Sequence, residues 1–296
     1  MNTMQIGFIG YGEAAFEISY GLKNEGVKNI AAFDPLWTDP DFSPLIRGRA
    51  KKADVDLLSS VKEVVESSNI LFVAVPANKA YNVSRSIIPF INPEGTGTLY
   101  IDVSAASPDV KRKINEEVRY SGNKFVDSAM MGPLTVYQHK IPILASGEGT
   151  DNFIKMMSKY KMNISKVSDV AGDASSIKLL RSIFMKGLSS LLIEVLQSAK
   201  HFNVETQVVN SIYETMNKEK FEQTLNRLVT GVAIHSERRS EELNGTLKLL
   251  KSSNQSSLMT QATQKTLNMI TQHNLKDTFK GESPSSWEKV IKELQK

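Results

Sequence analysis

The chain has 296 residues, 41% of them hydrophobic and 23% charged, which is the balance of a folded globular protein and not of a disordered one. The absence of cysteine excludes a disulfide scaffold, a cysteine-ligated metal and a thiol nucleophile. The net charge is +4, and the sequence contains no block of five or more like charges, so we expect no binding to nucleic acid. It has neither a signal-peptide pattern nor an apolar run of about 18 residues, so we expect a cytoplasmic protein that binds no membrane.

The first half of the sequence alternates short apolar runs with segments of helical spacing. The apolar runs predict six strands at 4–9, 30–33, 70–75, 98–102, 125–127 and 141–145. Most runs are continuous and do not alternate with polar residues, which is typical of parallel strands that helices cover on both faces. At roughly 150 residues per domain we expect two domains. The first, residues 1–165, is predicted to be a doubly wound α/β domain.

A glycine-rich loop follows the first predicted strand. Its sequence is Gly10-Tyr11-Gly12-Glu13-Ala14-Ala15, which matches the G-x-G-x-x-A pattern of dinucleotide-binding loops. The first glycine makes the tight turn, the second leaves the backbone open to a diphosphate, and the small Ala15 lets the helix pack closely on the sheet. The free N–H groups of the helix N-terminus then bind the phosphates. The pattern predicts a Rossmann domain in which residues 10–14 contact the cofactor.

Two further segments extend the predicted cofactor site. Asp34 ends the second strand, near the typical spacing of about 20 residues from the glycine loop. A carboxylate there accepts hydrogen bonds from ribose hydroxyls and repels a 2′-phosphate, which predicts NAD. NADP is the alternative, because four basic residues that could reach a 2′-phosphate follow downstream: Arg47, Arg49, Lys51 and Lys52. Val75 and Pro76 end the third long strand and are predicted to line the nicotinamide ribose, the alternative being a strand that a proline terminates.

The sequence pattern changes near residue 166. Residues 173–202 repeat apolar positions every three or four residues without proline, which predicts one helix of about 45 Å with Asp173 as its N-cap. Further helical patterns lie at 204–216, 221–228, 232–250, 258–270 and 286–294. We therefore predict an all-α second domain, residues 166–296, joined to the first by a long interdomain helix. Clefts between domains are favoured sites for small molecules.

Hydride exchange with a carbinol carbon requires a group that moves one proton on the oxygen. None of the four histidines lies in a recognisable strand-end motif: His139, His201, His235 and His273. Lys178 lies in the second turn of the long helix, and burial near a positive nicotinamide ring lowers the pKa of a lysine. On the residues alone Lys178 is a candidate acid/base, and Ser182, one turn further on the same face, is a candidate substrate contact. A solvated helix lysine is the alternative.

The sequence resembles the β-hydroxyacid dehydrogenase superfamily, the group of 3-hydroxyisobutyrate and 6-phosphogluconate dehydrogenases. The segments that carry this resemblance are GFIGYGEAA from Gly7, DVSAASP from Asp102, GDASSIKLLRSIFMKG from Gly172 and HSERRSEEL from His235. The Glu-Ala-Ala of the first segment is similar to a 6-phosphogluconate-dehydrogenase-like subgroup. The resemblance implies an NAD(P)-dependent oxidoreductase without a metal, and a homodimer formed through the helices of the second domain.

The resemblance also implies roles for single residues. It assigns the catalytic lysine to Lys178, while Ser182 stands where the family usually has asparagine. The first substrate loop, D-x-S-T-x-x-P, keeps Ser104, which is expected to contact both substrate and cofactor, but has alanine in place of the threonine. The second loop usually ends Ser-Gly-Gly and keeps only Gly132, with Met131 before it.

Both residues of the second loop, Met131 and Gly132, are therefore expected to line the substrate. The hydroxyl lost at Met131 indicates a substrate that is larger or more apolar than the usual small hydroxyacid. Arg238 lies near the position of the family's C-terminal lysine and is a candidate anion contact.

Three functions follow as alternatives. The first is an NAD(P)-dependent dehydrogenase or reductase that acts on a small hydroxyacid-like carbinol or carbonyl, with Lys178 as general acid/base. The second is a non-catalytic NAD(P)-binding sensor or scaffold, because the substrate loops depart from the family pattern beside an intact glycine loop. The third is an imine reductase, because Met130 and Met131 suit a less anionic ligand.

Overall fold

The computed structural model describes residues 4–91 and 97–296. The chain forms two compact units, Met1–Ser182 and Ile183–Lys296. This division lies beyond the predicted boundary at residue 165. The reason is that the first unit extends through an unpredicted strand, Ile164–Ser168, and through the first turns of the long helix.

An eight-stranded sheet forms the centre of the first unit. Its strands are β1 (Gln5–Ile9), β2 (Asn29–Phe33), β3 (Asp56–Leu57), β4 (Ile70–Val73), β5 (Leu99–Asp102), β6 (Lys124–Met130), β7 (Ile143–Ser146) and β8 (Ile164–Ser168). The strand order is β3-β2-β1-β4-β5-β6-β7-β8. Neighbouring strands run parallel, except that β7 is antiparallel to β6.

Helices cover the sheet on both faces. They are α1 (Glu13–Asn24), α2 (Ser43–Ala53), α3 (Val61–Ser67), α4 (Ala80–Ile87), α5 (Pro108–Tyr120), α6 (Leu134–Tyr137) and α7 (Thr150–Met157), followed by the start of α8 (Asp173–His201). Phe8 and Phe72 stack at 5.0 Å in one hydrophobic core, whereas Leu71 and Tyr100 belong to the core on the opposite face. Successive strand residues thus enter different cores. This confirms the predicted doubly wound α/β fold.

All six predicted strands are present with slightly different ends. The third ends at Val73, two residues before the predicted end at Val75. Two strands were not predicted. β3 has only two residues, and β8, at the edge of the sheet, has the sequence Ile-Ser-Lys-Val-Ser, which is neither a continuous apolar run nor a regular alternation. The predicted boundary at residue 165 falls inside β8.

The second unit is entirely helical. After the rest of α8 it contains α9 (Glu205–Asn217), α10 (Phe221–Ser252), α11 (Leu258–Gln272), α12 (Leu275–Thr278) and α13 (Trp287–Leu294). Its fully buried core centres on Ala233, Leu275 and Val290. The segments predicted as two helices at 221–228 and 232–250 form the single helix α10. Across the described residues, no helix has both the length and the apolarity that a membrane span requires.

Candidate active site

The glycine loop follows β1 and closes against the ends of two neighbouring strands. Gly10 has a φ of +82°, and its amide donates a hydrogen bond of 2.9 Å to the carbonyl of Phe33, the last residue of β2. A Cβ at Gly10 would lie 2.5 Å from the carbonyl oxygen of Ala74, which follows β4. Both the left-handed backbone and this close approach therefore require glycine at the turn.

The N-terminus of α1 is open on the side that Gly12 faces. A Cβ at Gly12 would meet no atom within 4 Å, and no side chain of the described chain caps this helix end. Glu13 is exposed and Ala14 half-buried, so the first turn is accessible. The amides of a first helical turn have no partner within their own helix and carry partial positive charge. These residues therefore fit the diphosphate of a dinucleotide.

Tyr11 and Asp34 hold the loop together. The Tyr11 side chain is fully buried and its hydroxyl lies 2.8 Å from Ser19 Oγ, and burial raises the pKa of Tyr11 to about 12. The Tyr11 side chain therefore points into the core, and only its backbone is available at the loop. Its amide donates to Asp34 Oδ2 at 2.7 Å, while Asp34 Oδ1 accepts from the amide of Leu36 at 2.9 Å. Asp34 thus fixes the loop in addition to its predicted role at the ribose.

Val75 and Pro76 lie in the segment after β4. The Cγ1 of Val75 lies 2.9 Å from the position that a Cβ on Gly10 would take, so Val75 packs directly against the glycine loop. Val75 is half-buried and Pro76 is exposed. Since β4 ends at Val73, the proline does not itself end the strand.

The first predicted substrate loop follows β5. Ser104 is buried, its amide donates to Asp102 Oδ1 at 2.8 Å, and its hydroxyl accepts a long hydrogen bond of 3.4 Å from the amide of Ala106. Asp102 itself is fully buried, and its Oδ2 has no hydrogen-bond partner among the described residues. Asp102 therefore sets the backbone that presents Ser104.

The second predicted substrate loop follows β6. The Met131 amide donates to the carbonyl of Pro142 at 2.8 Å, and the Met131 side chain is half-buried. Gly132 is exposed, and a Cβ there would make only ordinary contacts with Tyr137 and Ile141, at 3.6 and 3.7 Å. The fold itself does not require glycine at this position.

Several other candidates have local partners. The Ser182 hydroxyl donates to the carbonyl of Lys178 at 3.0 Å within α8, and Arg238 pairs with Glu242 at 2.6 Å on the exposed side of α10. His139 is buried against Gly21 of α1, where burial lowers its pKa. Asp173 is already the first helical residue of α8, so it lies one residue past the cap position, and its carboxylate accepts from Ser168 Oγ at 2.7 Å.

A buried ion cluster escaped the sequence analysis. The Lys111 ammonium lies 3.0 Å from Asp102 Oδ1 and 3.3 Å from Asp127 Oδ1, and all three side chains are fully buried. The Asp127 carboxylate also accepts from the hydroxyl of Ser175 at 2.6 Å and from its amide at 2.9 Å. Ser146 Oγ accepts from the amide of Ala174 at 3.0 Å. The first turn of α8 is therefore bonded to β6 and β7.

Lys178 follows one turn after Ser175 and is half-buried. Burial lowers the pKa of Lys178, the positive charge of Lys111 lowers it further, and the carboxylate of Asp127 partly offsets both effects. The surroundings of the Lys178 amine therefore disfavour its protonation relative to a solvent-exposed lysine.

A sequence signal for Lys111 existed. Val110, Ile114 and Val118 mark the apolar face of α5, and Lys111 precedes Ile114 by three residues and Val118 by seven, which places it on the same face. A lysine on an apolar face needs a buried counterion. That signal does not identify the counterion, because the two aspartates belong to different strands.

A row of paired residues connects the glycine loop with the ion cluster. Ile9 pairs with Val73, Val73 with Asp102, and Asp102 with Asp127. At about 4.8 Å per strand, Ile9 and Asp127 lie about 14 Å apart along the sheet. Ile9, Val73 and Asp102 are the last residues of parallel strands. The glycine loop and the anchor of α8 therefore lie along the edge where open α/β sheets bind ligands.

Two family models match separate parts of the chain. The NAD binding domain of 6-phosphogluconate dehydrogenase matches residues 5–153, and a domain of unknown function, DUF1932, matches residues 199–270. A curated relative from Methanothermus fervidus, an uncharacterized 28.5 kDa protein in the 7S RNA 5′ region, is 29% identical over 267 residues, which are 88% of this chain and 96% of the relative.

Solved structures are similar over nearly the whole length. A conserved protein of unknown function, described as structurally similar to 3-hydroxyacid dehydrogenases, is 27% identical with a TM-score of 0.61, covering 93% of this chain and 97% of its own. A variant of the imine reductase from Myxococcus stipitatus, in complex with NAD+, is 17% identical with a TM-score of 0.72, covering 98% and 99%. The same enzyme in complex with NADP+ is 16% identical with a TM-score of 0.71, covering 98% and 99%. At these lower identities the likeness concerns the fold.

Proposed function

The chain belongs to the family defined by the NAD binding domain of 6-phosphogluconate dehydrogenase, and from this premise we propose that it is an NAD(P)-dependent oxidoreductase acting on a small hydroxyacid-like carbinol or carbonyl compound. Its fold is the NAD(P)-binding dehydrogenase fold shared with proteins similar to 3-hydroxyacid dehydrogenases and with imine reductases. The observation that carries the proposal is the half-buried Lys178. Its helix is anchored through Ser175 to the sheet, on the side where the parallel strands end and where the glycine loop also lies.

The proposed chemistry divides between cofactor and protein. When bound, the nicotinamide supplies the hydride for reduction or takes it up in oxidation. Lys178 handles the proton on the substrate oxygen: its neutral amine accepts the hydroxyl proton during oxidation, and its ammonium returns a proton to the oxygen during reduction. The lowered pKa of Lys178 makes the amine available at a lower pH than in a solvent-exposed lysine.

In the proposal, the loops that follow β5 and β6 orient the substrate. Ser104 is held by Asp102 at the end of β5, and its hydroxyl and backbone are suited to an anionic or hydroxylated group. Met131 and Gly132 form the opposite loop in the proposal, and the thioether of Met131 favours an apolar portion of the substrate. The Ser182 hydroxyl donates to the Lys178 carbonyl, so in the proposal its oxygen contacts the substrate as an acceptor.

NAD is the proposed cofactor, with NADP as the alternative. The half-buried Asp34 carboxylate lies beside the glycine loop. There it accepts hydrogen bonds from the ribose hydroxyls of NAD and repels the 2′-phosphate of NADP. Arg47 is engaged with the carbonyl of Trp37 and with Ser43 Oγ, so it is not free to hold that phosphate without rearranging. Fluorescence titration with NADH and NADPH distinguishes the two, and Asp34→Ala is expected to reduce the difference between them.

A Lys178→Met variant tests the catalytic role. We expect it to bind NADH as the parent does and to lose turnover by about 10²- to 10⁴-fold, the usual contribution of a general acid/base. Lys186→Met is the matched control, because Lys186 is exposed further along α8. Full turnover in Lys178→Met would disprove the mechanism. Tight NADH binding without Lys178-dependent turnover on any carbonyl would instead support a sensor or scaffold.

Imine reduction is the second candidate function. The observation that favours it is the half-buried pair Met130 and Met131 at the end of β6, which presents no hydroxyl to an anionic substrate. An imine needs the same hydride and a proton on nitrogen, which the Lys178 ammonium supplies. A panel of cyclic imines and hydroxyacids separates the candidates, since activity on hydroxyacids alone would exclude imine reduction.

The proposal extends to a homodimer formed through the second unit. Its helices expose large apolar side chains, with Ile183 70%, Tyr213 64% and Ile193 58% exposed. A surface of this kind marks an interaction site more often than a solvent-facing one. Light scattering is expected to give about twice the mass of the single chain, and a monomer at micromolar concentration would refute the dimer.

A further inference from the structure

Lys111 is the one member of the buried ion cluster that contacts both aspartates. Its ammonium lies 3.0 Å from Asp102 Oδ1, 3.0 Å from the Asp102 carbonyl oxygen and 3.3 Å from Asp127 Oδ1. An ionised lysine without solvent access is costly unless carboxylates and hydrogen bonds compensate it. Here three oxygens surround the ammonium, so the charge is compensated and its position is fixed.

The two aspartates connect Lys111 to two parts of the proposed site. Asp102 Oδ1 also accepts from the amide of Ser104, which fixes the start of the first substrate loop. Asp127 accepts from the amide and hydroxyl of Ser175, three residues before Lys178. The substrate loop and the first turn of α8 therefore share one buried cation.

The cluster also acts on Lys178 through charge. The Asp127 carboxylate contacts both the Lys111 ammonium, at 3.3 Å, and the Ser175 hydroxyl in the first turn of α8, at 2.6 Å, so the buried cation lies close to the turn that precedes Lys178. The charge of Lys111 lowers the pKa of Lys178, and the charge of Asp127 acts in the opposite direction. Two ammonium groups in the same poorly solvated region repel each other more strongly than they would in water. A permanently paired Lys111 therefore disfavours protonation of Lys178, in the same direction as burial does.

We propose that Lys111 is a positioning residue for Lys178: its ammonium aligns the Ser104 loop with the first turn of α8 through the two aspartates, and its charge opposes a second positive charge at Lys178. The kinetic part of this inference rests on the proposed function. A merely structural role would stabilise the fold without changing the protonation of Lys178.

The test measures the protonation of Lys178 directly in the full-length chain. Purified protein is pulsed with a trace of isotopically labelled acetic anhydride over a series of pH values from neutral to strongly alkaline. Mass spectrometry then gives the extent of acetylation of the Lys178 peptide, normalised to the exposed Lys186, which is present in the parent and in every variant. The pH at which labelling is half-maximal reports the proton affinity of the amine, and no substrate is needed.

Three variants isolate the charge of Lys111. Lys111→Met removes the positive charge alone. The double variant Asp102→Asn/Lys111→Met removes one positive and one negative charge, so the net charge of the cluster stays the same and the Asp127 carboxylate is its only charged group. The double variant serves if the single one does not fold, which circular dichroism establishes. Lys113→Met, two positions away on the exposed side of α5, is the matched control.

The half-labelling pH of Lys178 is expected to rise in Lys111→Met and in the double variant and to stay unchanged in Lys113→Met. A half-labelling pH that does not move in a folded Lys111 variant overturns the inference, whatever the turnover. A rise that Lys113→Met produces equally also overturns it, since the effect would then not depend on the buried cation.

Kinetics separate this inference from the proposed function. If Lys178 is the acid/base, the pH at which oxidation reaches half of its maximal kcat rises in the Lys111 variants, while the KM for NAD+ stays unchanged. If Lys178→Met retains full turnover, the proposed function fails, but the labelling result still decides the role of Lys111. A kcat profile that stays in place although the half-labelling pH of Lys178 rises would count against Lys178 as the acid/base and not against the charge effect.

Discussion

The N-termini of α1 and α8 belong to the same unit and use opposite chemistry. At α1 the residue before the helix is Gly12, and no side chain of the described chain caps the first turn. At α8 the corresponding amides are occupied, because Ser146 bonds to Ala174 and Asp127 bonds to Ser175. The first end is open to an external anion, and the second holds an anion of the protein itself.

The same physical property therefore serves two purposes at these two helix ends. Helix N-termini attract negative charge through unpaired amides and the aligned peptide dipoles. An open end binds a ligand that comes and goes, which suits a cofactor. A closed end fixes the helix on the sheet, which suits a side chain that must be held in position, and Lys178 follows one turn after this closed end. Variants that open the second end or obstruct the first test the comparison.

Asp127→Asn opens the N-terminus of α8 and is expected to have the largest effect. An amide cannot accept from both Ser175 groups while it also faces the Lys111 ammonium, so one donor loses its partner. Breaking a buried ion pair costs about 3–5 kcal/mol. We expect a loss of that size in the free energy of unfolding, measured by urea denaturation, with NADH affinity unchanged in the folded protein.

The exposed Asp109→Asn is the control for the first prediction, since Asp109 lies in the first turn of α5 and pairs only at the surface with Arg112. A change within about 0.5 kcal/mol is expected there. If Asp127→Asn were as stable as Asp109→Asn, the carboxylate would not be closing α8. If it weakened NADH binding strongly, the two helix ends would not be independent.

A matched pair of alanine variants at the glycine loop is expected to have the next largest effect. Gly12→Ala places a methyl group where no protein atom lies within 4 Å, whereas Gly10→Ala forces alanine into a positive φ against the carbonyl of Ala74. Gly12→Ala should keep its stability and weaken NADH binding by about 10- to 100-fold, the equivalent of one charge-assisted hydrogen bond. Gly10→Ala should lose about 1–3 kcal/mol of stability.

Differential scanning fluorimetry without nucleotide and titration with NADH measure the two effects separately. An unchanged NADH affinity in Gly12→Ala would mean that the diphosphate does not lie against α1. Equal destabilisation in both variants would mean that Gly12 has a structural role that its open surroundings do not explain.

Local patterns sufficed for much of the fold. The continuous apolar runs predicted six of the eight strands, and the apolar spacing predicted α8 to within one residue at its C-terminal end, His201. These features depend on short stretches of sequence. The break predicted near residues 229–231 was wrong, because Val229 packs against the core around Ala233 and tertiary packing there outweighs the weak helix propensity of Thr230 and Gly231.

The candidate site was only partly accessible to sequence reasoning. The glycine loop is local, and Lys178 was found by family resemblance. The ion cluster joins Asp102, Lys111, Asp127 and Ser175 from two strands and two helices, and the last two residues lie 48 positions apart. No local pattern encodes such pairing. The same reason explains why Asp173 was expected to cap α8: it is adjacent in sequence, whereas the actual partners lie on β6 and β7.

The N-terminus of α11 extends the comparison to the second unit. Glu194 of α8 is buried and accepts from the amides of Met259 and Thr260, each at 2.9 Å, and from the Thr260 hydroxyl at 2.7 Å. Burial alone would raise the pKa of Glu194, but these hydrogen bonds lower it overall. This end is closed by a carboxylate, as at α8, but no lysine or arginine forms an ion pair with Glu194 in the described part of the chain.

Glu194→Gln therefore has the smallest expected effect of the series. The amide oxygen still accepts one backbone hydrogen bond, and no buried cation is left without its partner, so we expect a loss of about 1 kcal/mol in the free energy of unfolding, as for an ordinary cap.

The stabilisation by Glu194 should disappear in acid. The folded state lowers the pKa of Glu194, so its stabilisation is present above the unfolded pKa and disappears as the pH falls through the folded one. Urea denaturation at neutral and acid pH, with the exposed Glu205→Gln as control, measures both. If Glu194→Gln lowered the free energy of unfolding as much as Asp127→Asn does, the buried cation at α8 would not explain the difference between the two closed helix ends.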